Sequence, residues 1–196
     1  MPDHPEYRKR VRHFENPADC RELTFSCYGR RPLLIDDSWR AMLSTAIDRA
    51  AEGHGYRLVA FVYMPEHVHL IVYPIPGASG IDQFLKAIKR PFSYRIKQEL
   101  MQRESSLLQD LTIRQRPGVT TFRYWQEGPG YDANLSDRRA ALAAINYVHM
   151  NPVRRGLCET AVEWMWSSAR QHIQPESDAD GRLPTIHQLP PHFLND

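Results

Sequence analysis

The chain has little from which to build a covalent or metal-clipped framework. Its three cysteines, Cys20, Cys27 and Cys158, are odd in number and show no Cys-x-x-Cys spacing. A disulfide scaffold and a zinc knuckle are therefore not expected, and a reducing cytoplasm is the expected setting. No apolar run is long enough to span a bilayer, so membrane residence is not expected. The N-terminal charges are not followed by an apolar stretch, which speaks against a secretory leader. Internal repeats and low-complexity blocks are also missing. A strong charge of one sign is lacking: 25 Lys and Arg face 23 Asp and Glu, for a formal net charge of +2. This mildly basic balance permits a nucleic-acid partner without requiring one.

What is present suits one domain with appendages. There are 196 residues, 42% of them hydrophobic, enough for a real core. The expected division is an N-terminal arm over 1–20, a body over 21–170 and a tail over 171–196. The arm carries Arg8, Lys9, Arg10 and Arg12, and charge alone reads as a solvated terminus. The tail is rich in proline, histidine and acid and is expected to be loop, laid on the body.

Within the body, Glu22 to Tyr28 alternates and is rich in strand formers. Asp36 or Asp37 caps a helix with Trp39, Leu43, Ile47 and Ala50 on one face, ended by Gly53 and Gly55. Tyr56 to Met64 is almost continuously apolar, which predicts a central strand covered on both faces. Pro65-Glu66 turns it into a second strand from His67, giving an antiparallel hairpin. Ile81 to Leu100 reads as a helix that Pro91 kinks or divides. Residues 103–120 read as a polar connection, and Thr121 to Trp125 as a fourth strand. Asn134 or Ser136 then opens an alanine-rich helix that Pro152 stops. Trp164 and Trp166 read as core, while Trp125 reads as a surface on which unpaired bases can stack. The order strand, helix, strand, strand, helix, strand predicts an α+β, ferredoxin-like split βαβ fold. It has a central antiparallel sheet, helices on one face and a further C-terminal helix.

Two groups of residues carry chemistry. His67 and His69 leave one face of a strand, with Val68 behind them. Two neutral imidazoles side by side can chelate one divalent cation; a half-exposed sheet face that happens to carry two histidines is the plain alternative. Glu66, in the turn, reads as a solvated acid rather than as a group that orients a ligand. Tyr147 and Asn151 lie four apart and share a helix face, with Ala140, Ala143 and Ala144 on the adjacent turns. An amide oxygen beside two imidazoles suits magnesium or manganese.

The two stretches resemble a known signature. His67-Val68-His69 after Met64-Pro65-Glu66, with Tyr147-Val148-His149-Met150-Asn151-Pro152-Val153-Arg154-Arg155-Gly156-Leu157, resemble the paired motifs of the REP-associated tyrosine transposases. These are relatives of the single-strand insertion-sequence transposases among the HUH endonucleases. Trp125-Gln126-Glu127-Gly128 and Trp164-Met165-Trp166-Ser167-Ser168 add to the likeness, which covers about 22–170.

The resemblance implies that His67, His69 and Asn151 bind Mg²⁺ or Mn²⁺ and that Tyr147, on a C-terminal catalytic helix, is the nucleophile. Many insertion-sequence relatives carry glutamine where Asn151 stands. The implied reaction cuts and rejoins single-stranded, hairpin-forming DNA of the REP palindrome type through a 5′-phosphotyrosine. A free phenol has a pKa of about 10, so its oxyanion needs stabilisation. Arg8, Lys9, Arg10, Lys86, Lys89, Arg90, Arg154 and Arg155 are the candidate phosphate contacts. A monomer is expected, with a dimer that exchanges the Tyr147 helix as the alternative. Two other functions fit the same residues: a hairpin-binding protein without turnover, and a phosphoesterase using an activated water.

Overall fold

The structure is a computed structural model that describes residues 19–128, 130–174 and 181–193. The basic arm with Arg8, Lys9 and Arg10 lies outside the described residues. In chain order the elements are β1 (Cys20–Ser26), α1 (Asp37–His54), β2 (Tyr56–Tyr63), β3 (His67–Pro74) and α2 (Ile81–Gln102). There follow α3 (Leu107–Asp110), β4 (Thr112–Arg116), β5 (Val119–Phe122) and β6 (Tyr131–Leu135). Three helices close the series: α4 (Arg138–His149), α5 (Asn151–Arg154) and α6 (Ala169–Ile173). Four strands form one antiparallel sheet in the order β2-β3-β1-β6, while β4 and β5 form a separate two-stranded ribbon. This is the expected α+β plan.

Alternation sorts the sheet into two faces. Leu23 and Phe25 of β1, with Val68, Leu70 and Val72 of β3, point toward α1 and α2 and form the larger core with Leu43, Ile47, Phe84 and Ile88. Asp36 caps α1, its side chain accepting from Ser38 N and Trp39 N. The other face carries Val62 and Ile71, covered by Ala141, Ala144, Ile145 and Val148 of α4 and by Phe193 from the tail. Each such aliphatic side chain, fully buried, contributes roughly 1.5–3 kcal/mol. Docking of α4 is thus set by its 3.6-residue period, and α4 alone among the longer helices lies on the side of the sheet from which the histidines project.

Several expectations need correction. The fourth strand of the sheet is Tyr131–Leu135, not Thr121 to Trp125. Its polar sequence hides it: Asp132 is an edge-strand residue held by an ion pair to Arg21, and edge strands tolerate such residues. Asn134 therefore lies in a strand, and Asp137 caps α4, accepting from Ala140 N at 2.8 Å. The segment 103–120 is not mere connection, since it contains α3 and most of the ribbon. Pro91 neither ends nor divides α2; it sits on the exposed side, where water can serve the carbonyl that loses its partner. Pro152 does not stop the chain's helical course either: it lies in the first turn of α5, which starts at Asn151 directly after the Met150 cap of α4.

Strand β2 is covered on both faces as expected, yet it is an edge strand rather than a central one. Its outer edge is closed by backbone from late in the chain: Tyr63 N donates to Trp166 O (2.8 Å), Ser168 N to Phe61 O (3.0 Å) and His187 N to Leu58 O (2.7 Å). The described part of the tail thus lies on the body. Trp166 is buried and donates to Asp37 at 2.7 Å, and the partly buried Trp164 donates to Tyr63 O at 3.0 Å. Trp125 is buried in an aromatic cluster with Phe25, Phe92 and Tyr124, so it offers no stacking surface.

One backbone approach fixes where β6 begins. Gly130 has φ 75°, and a Cβ there would fall inside the van der Waals envelope of the Thr24 carbonyl oxygen. Gly130→Ala combines left-handed strain with overpacking and is expected to cost about 3 kcal/mol. A thermal melt should show a fall on the order of 10 °C for a chain of this size. An unchanged midpoint would mean that β6 does not pack this closely on β1.

Candidate functional site

The site forms where β1, β3 and the end of α4 meet. His67 and His69 leave β3 on the α4 side, because their neighbours Val68 and Leu70 are taken by the opposite core. Their Nε2 atoms are 3.0 Å apart. Each ring is oriented through its other nitrogen. His67 Nδ1 donates to Glu66 Oε1 at 3.1 Å. His69 Nδ1 lies 2.8 Å from Thr24 Oγ1 and 3.5 Å from Glu22 Oε1. A carboxylate only accepts, so the His67 proton belongs on Nδ1 and its Nε2 carries the lone pair. Burial, and then the neighbouring His69, push the His67 imidazole down to about 4, against the pull of Glu66; the ring is neutral at pH 7.

Glu66 is not the solvated turn acid that the sequence suggests. It is buried and also accepts from Arg155 Nη1 at 2.6 Å. Burial pushes its carboxyl up, and the Arg155 hydrogen bond together with His67 outweighs that and holds it below the usual carboxylate range. The pair Arg155–Glu66 links the segment just after α5 to the turn that presents His67.

Tyr147 comes from the last turn of α4, on the flank of the face that Ala144 and Val148 bury. Ala143, one turn before Tyr147 on the same side of α4, is exposed like it. The Tyr147 ring is 45% exposed and meets the His69 ring edge-on, with centroids 5.9 Å apart. The Arg154 guanidinium lies 4.6 Å over the Tyr147 ring and donates to Tyr147 O at 3.3 Å. Asn151 is buried, and its Nδ2 donates to Tyr147 O at 3.2 Å, which leaves its Oδ1 for another partner. One chain therefore brings His67, His69 and Tyr147 together, with Asn151 tied to the turn that carries the phenol.

The remaining sequence-based candidates are placed elsewhere. Lys86, Lys89 and Arg90 lie on α2, across the sheet from the histidines. Lys86 and Arg90 are exposed, while the Lys89 ammonium lies 4.8 Å over the Phe25 ring. Sequence reasoning missed Glu22 and Thr24. The available signal was their alternation with Leu23 and Phe25, which puts them on the opposite face of β1.

The donor set can be tested against a cation. Two nitrogens held side by side at ~2.1 Å by an octahedral ion stand about 3.0 Å apart, and the two Nε2 atoms are 3.0 Å apart. Among the described residues no group of three or more His, Cys, Asp or Glu side chains is arranged so that it could hold a metal ion. The Asn151 amide oxygen, on the turn that carries Tyr147, takes part in no hydrogen bond among the described residues and is the neutral oxygen considered beside the two imidazoles. Two imidazoles and an amide oxygen fit a hard-to-borderline divalent cation such as magnesium or manganese.

Residues 22–122, more than half of the chain, match the family model described as transposase IS200 like. The chain belongs to the IS200-like transposase family. The matched residues include His67 and His69 and end before Tyr147. This IS200-like transposase is 22% identical over 135 residues to a Haemophilus influenzae protein named as a REP-associated tyrosine transposase, covering 67% of this chain and 69% of that one. A solved structure of a REP-associated tyrosine transposase bound to a REP hairpin shares its fold, with a TM-score of 0.66 and 17% identity over 93% of this chain and 94% of the other. A Deinococcus radiodurans protein described as a transposase aligns with a TM-score of 0.45 and 19% identity over 76% of this chain and 95% of its own. The resemblance to REP-associated tyrosine transposases drawn from the motifs is borne out. Among the described residues no helix is long and apolar enough to cross a membrane.

Proposed function

We propose that this transposase cuts and rejoins single-stranded DNA bearing hairpins of the REP palindrome type, with Tyr147 as nucleophile. The observation that carries the reading is the meeting of the Tyr147 ring with the His69 ring, 5.9 Å between centroids, in a single chain. It also favours action within one monomer.

In the first step the Tyr147 phenolic oxygen forms a bond to the scissile phosphorus and the bond from phosphorus to the 3′ oxygen breaks. The phenol loses its proton to water, and the departing 3′ oxygen takes one up as a hydroxyl. The 5′ end stays on Tyr147 as a phosphodiester. Because that bond retains the strand-joining energy, a 3′-hydroxyl can attack it and restore a continuous strand. A divalent cation bound by His67, His69 and the Asn151 amide would supply positive charge to the non-bridging phosphate oxygens.

The protein's own groups do the rest. Arg154, stacked on the Tyr147 ring, limits the ring's rotation and puts a positive charge beside the phenol. The exposure of Tyr147 lets a strand reach it, and the hydrogen bonds of His67 with Glu66 and of His69 with Thr24 keep the imidazoles from turning away.

The test is incubation with a hairpin oligonucleotide carrying a single-stranded flank, in Mg²⁺ or Mn²⁺. A band linked covalently to protein is expected on a denaturing gel. Strand cleavage with no linked band would instead favour an activated water. Glu66→Gln removes the charge that orients His67 and is expected to weaken Mn²⁺ binding by about 10–100-fold, as loss of an outer partner of a ligand does. Calorimetric titration with Mn²⁺ reads this out, and unchanged affinity would mean that Glu66 serves only the Arg155 link.

A further inference from the structure

The β4–β5 ribbon pairs with no other strand of the sheet. A two-stranded ribbon is marginal in stability by itself, and this one is anchored to the core through Phe122. Residues 112–123 contain three arginines and no acid. Arg114 and Arg116 are exposed, and no ion-pair partner for either is found among the described residues. Two carboxylates that flank the ribbon in sequence are already paired: Asp110 with Arg31 at 2.8 Å, and Glu127 with Arg123. With Arg123 paired, Arg114 and Arg116 leave the ribbon with positive charge that no ion pair among the described residues answers.

At its root lies a cleft of about 330 Å³, lined by Tyr28, Arg114, Gln115, Arg123, Gln126 and Glu127 among others, the Glu127 carboxylate being paired with Arg123. Its position relative to the candidate site is fixed by backbone contacts. Gln126 N donates to Ser26 O and Tyr28 N to Tyr124 O, each at 2.8 Å. Ser26 is in turn the register partner of His67. The cleft thus opens at the end of the sheet where the histidine strand begins. An aromatic ring, amide groups and a guanidinium around a cavity this size suit an unpaired base, which stacks on an aromatic face and offers hydrogen-bonding edges.

We infer that the ribbon and its root cleft hold the single-stranded part of the DNA, with phosphates against Arg114 and Arg116 and one unpaired base against Tyr28. The inference rests on the reading that the chain acts on single-stranded DNA next to hairpins. A duplex stem would have little use for a cleft that takes one base.

The experiment uses the full chain with two probes at several salt concentrations, followed by fluorescence anisotropy. One probe is an unstructured 12-nucleotide strand, and the other a blunt hairpin with no flank. The double variant Arg114→Gln/Arg116→Gln is expected to bind the strand more weakly. Loss of two phosphate contacts should make the slope of log affinity against log salt shallower by about 1.4, with the blunt hairpin little affected. Arg114→Lys/Arg116→Lys should keep the slope. Tyr28→Leu should weaken strand binding and Tyr28→Phe should preserve it. Equal affinity and slope for double variant and wild type on the strand would overturn the inference, as would a larger loss on the blunt hairpin. A wild-type covalent adduct with ribbon-independent binding would sink this inference alone. Ribbon-dependent binding without any adduct would sink only the proposed reaction.

Discussion

Replacing Tyr147 by phenylalanine is expected to abolish the protein–DNA adduct and to lower strand cleavage by at least about 10³-fold, because no other group can take the nucleophile's place. Hairpin affinity should stay close to wild type. The substitution removes one oxygen from a ring that is 45% exposed, and the contacts that hold the ring are made by its face and by its backbone carbonyl. Arg154 stacks on the face, and Asn151 and Arg154 donate to the carbonyl. All of these survive in phenylalanine, so folding should be unchanged and a thermal melt should overlay that of wild type. Cleavage that persists undiminished would transfer the attack to water and leave Tyr147 as a packing residue. Single-turnover cleavage of a radiolabelled hairpin substrate separates these outcomes.

His69→Ala should be nearly as severe for cleavage and should also remove the response to added cation. His69 is buried, pinned by Thr24 and central to the convergence with His67. Its loss leaves one imidazole where two are needed. Charge stabilisation of several kcal/mol at the phosphate would disappear, a fall on the order of 10³-fold or more. Calorimetry should show no Mn²⁺ binding at concentrations that saturate wild type. Retained Mn²⁺ affinity would mean that the cation sits elsewhere, and full activity in chelator would remove it from the account. His69→Ala leaves Tyr147 in place, so hairpin binding in the absence of cation is the control for folding.

Much of this arrangement is legible in the chain itself. Alternation around His67 and His69 sets their shared direction, and the short turn at Pro65-Glu66 sets the hairpin that carries them. The four-residue spacing of Tyr147 and Asn151 puts both on one side of α4 and its continuation. What could not be read depends on tertiary partners. Glu66 looks like a turn acid until Arg155, far along the chain, is brought to it. Asn134 looks like the opening of a helix because its strand is a polar edge, where polarity costs little. Tyr56 to Met64 reads as central because its faces are buried, yet the sheet ends there and backbone from 166–168 and 187 covers it. Trp125 reads as a stacking surface because nothing local announces the aromatic cluster that encloses it.

The most direct measurement is tandem mass spectrometry of the adduct after nuclease and protease digestion. The account predicts one modified peptide, carrying a nucleotide 5′-phosphate on the oxygen of Tyr147. A nucleotide found on any other residue, or a cleaved strand with no modified peptide at all, would contradict it.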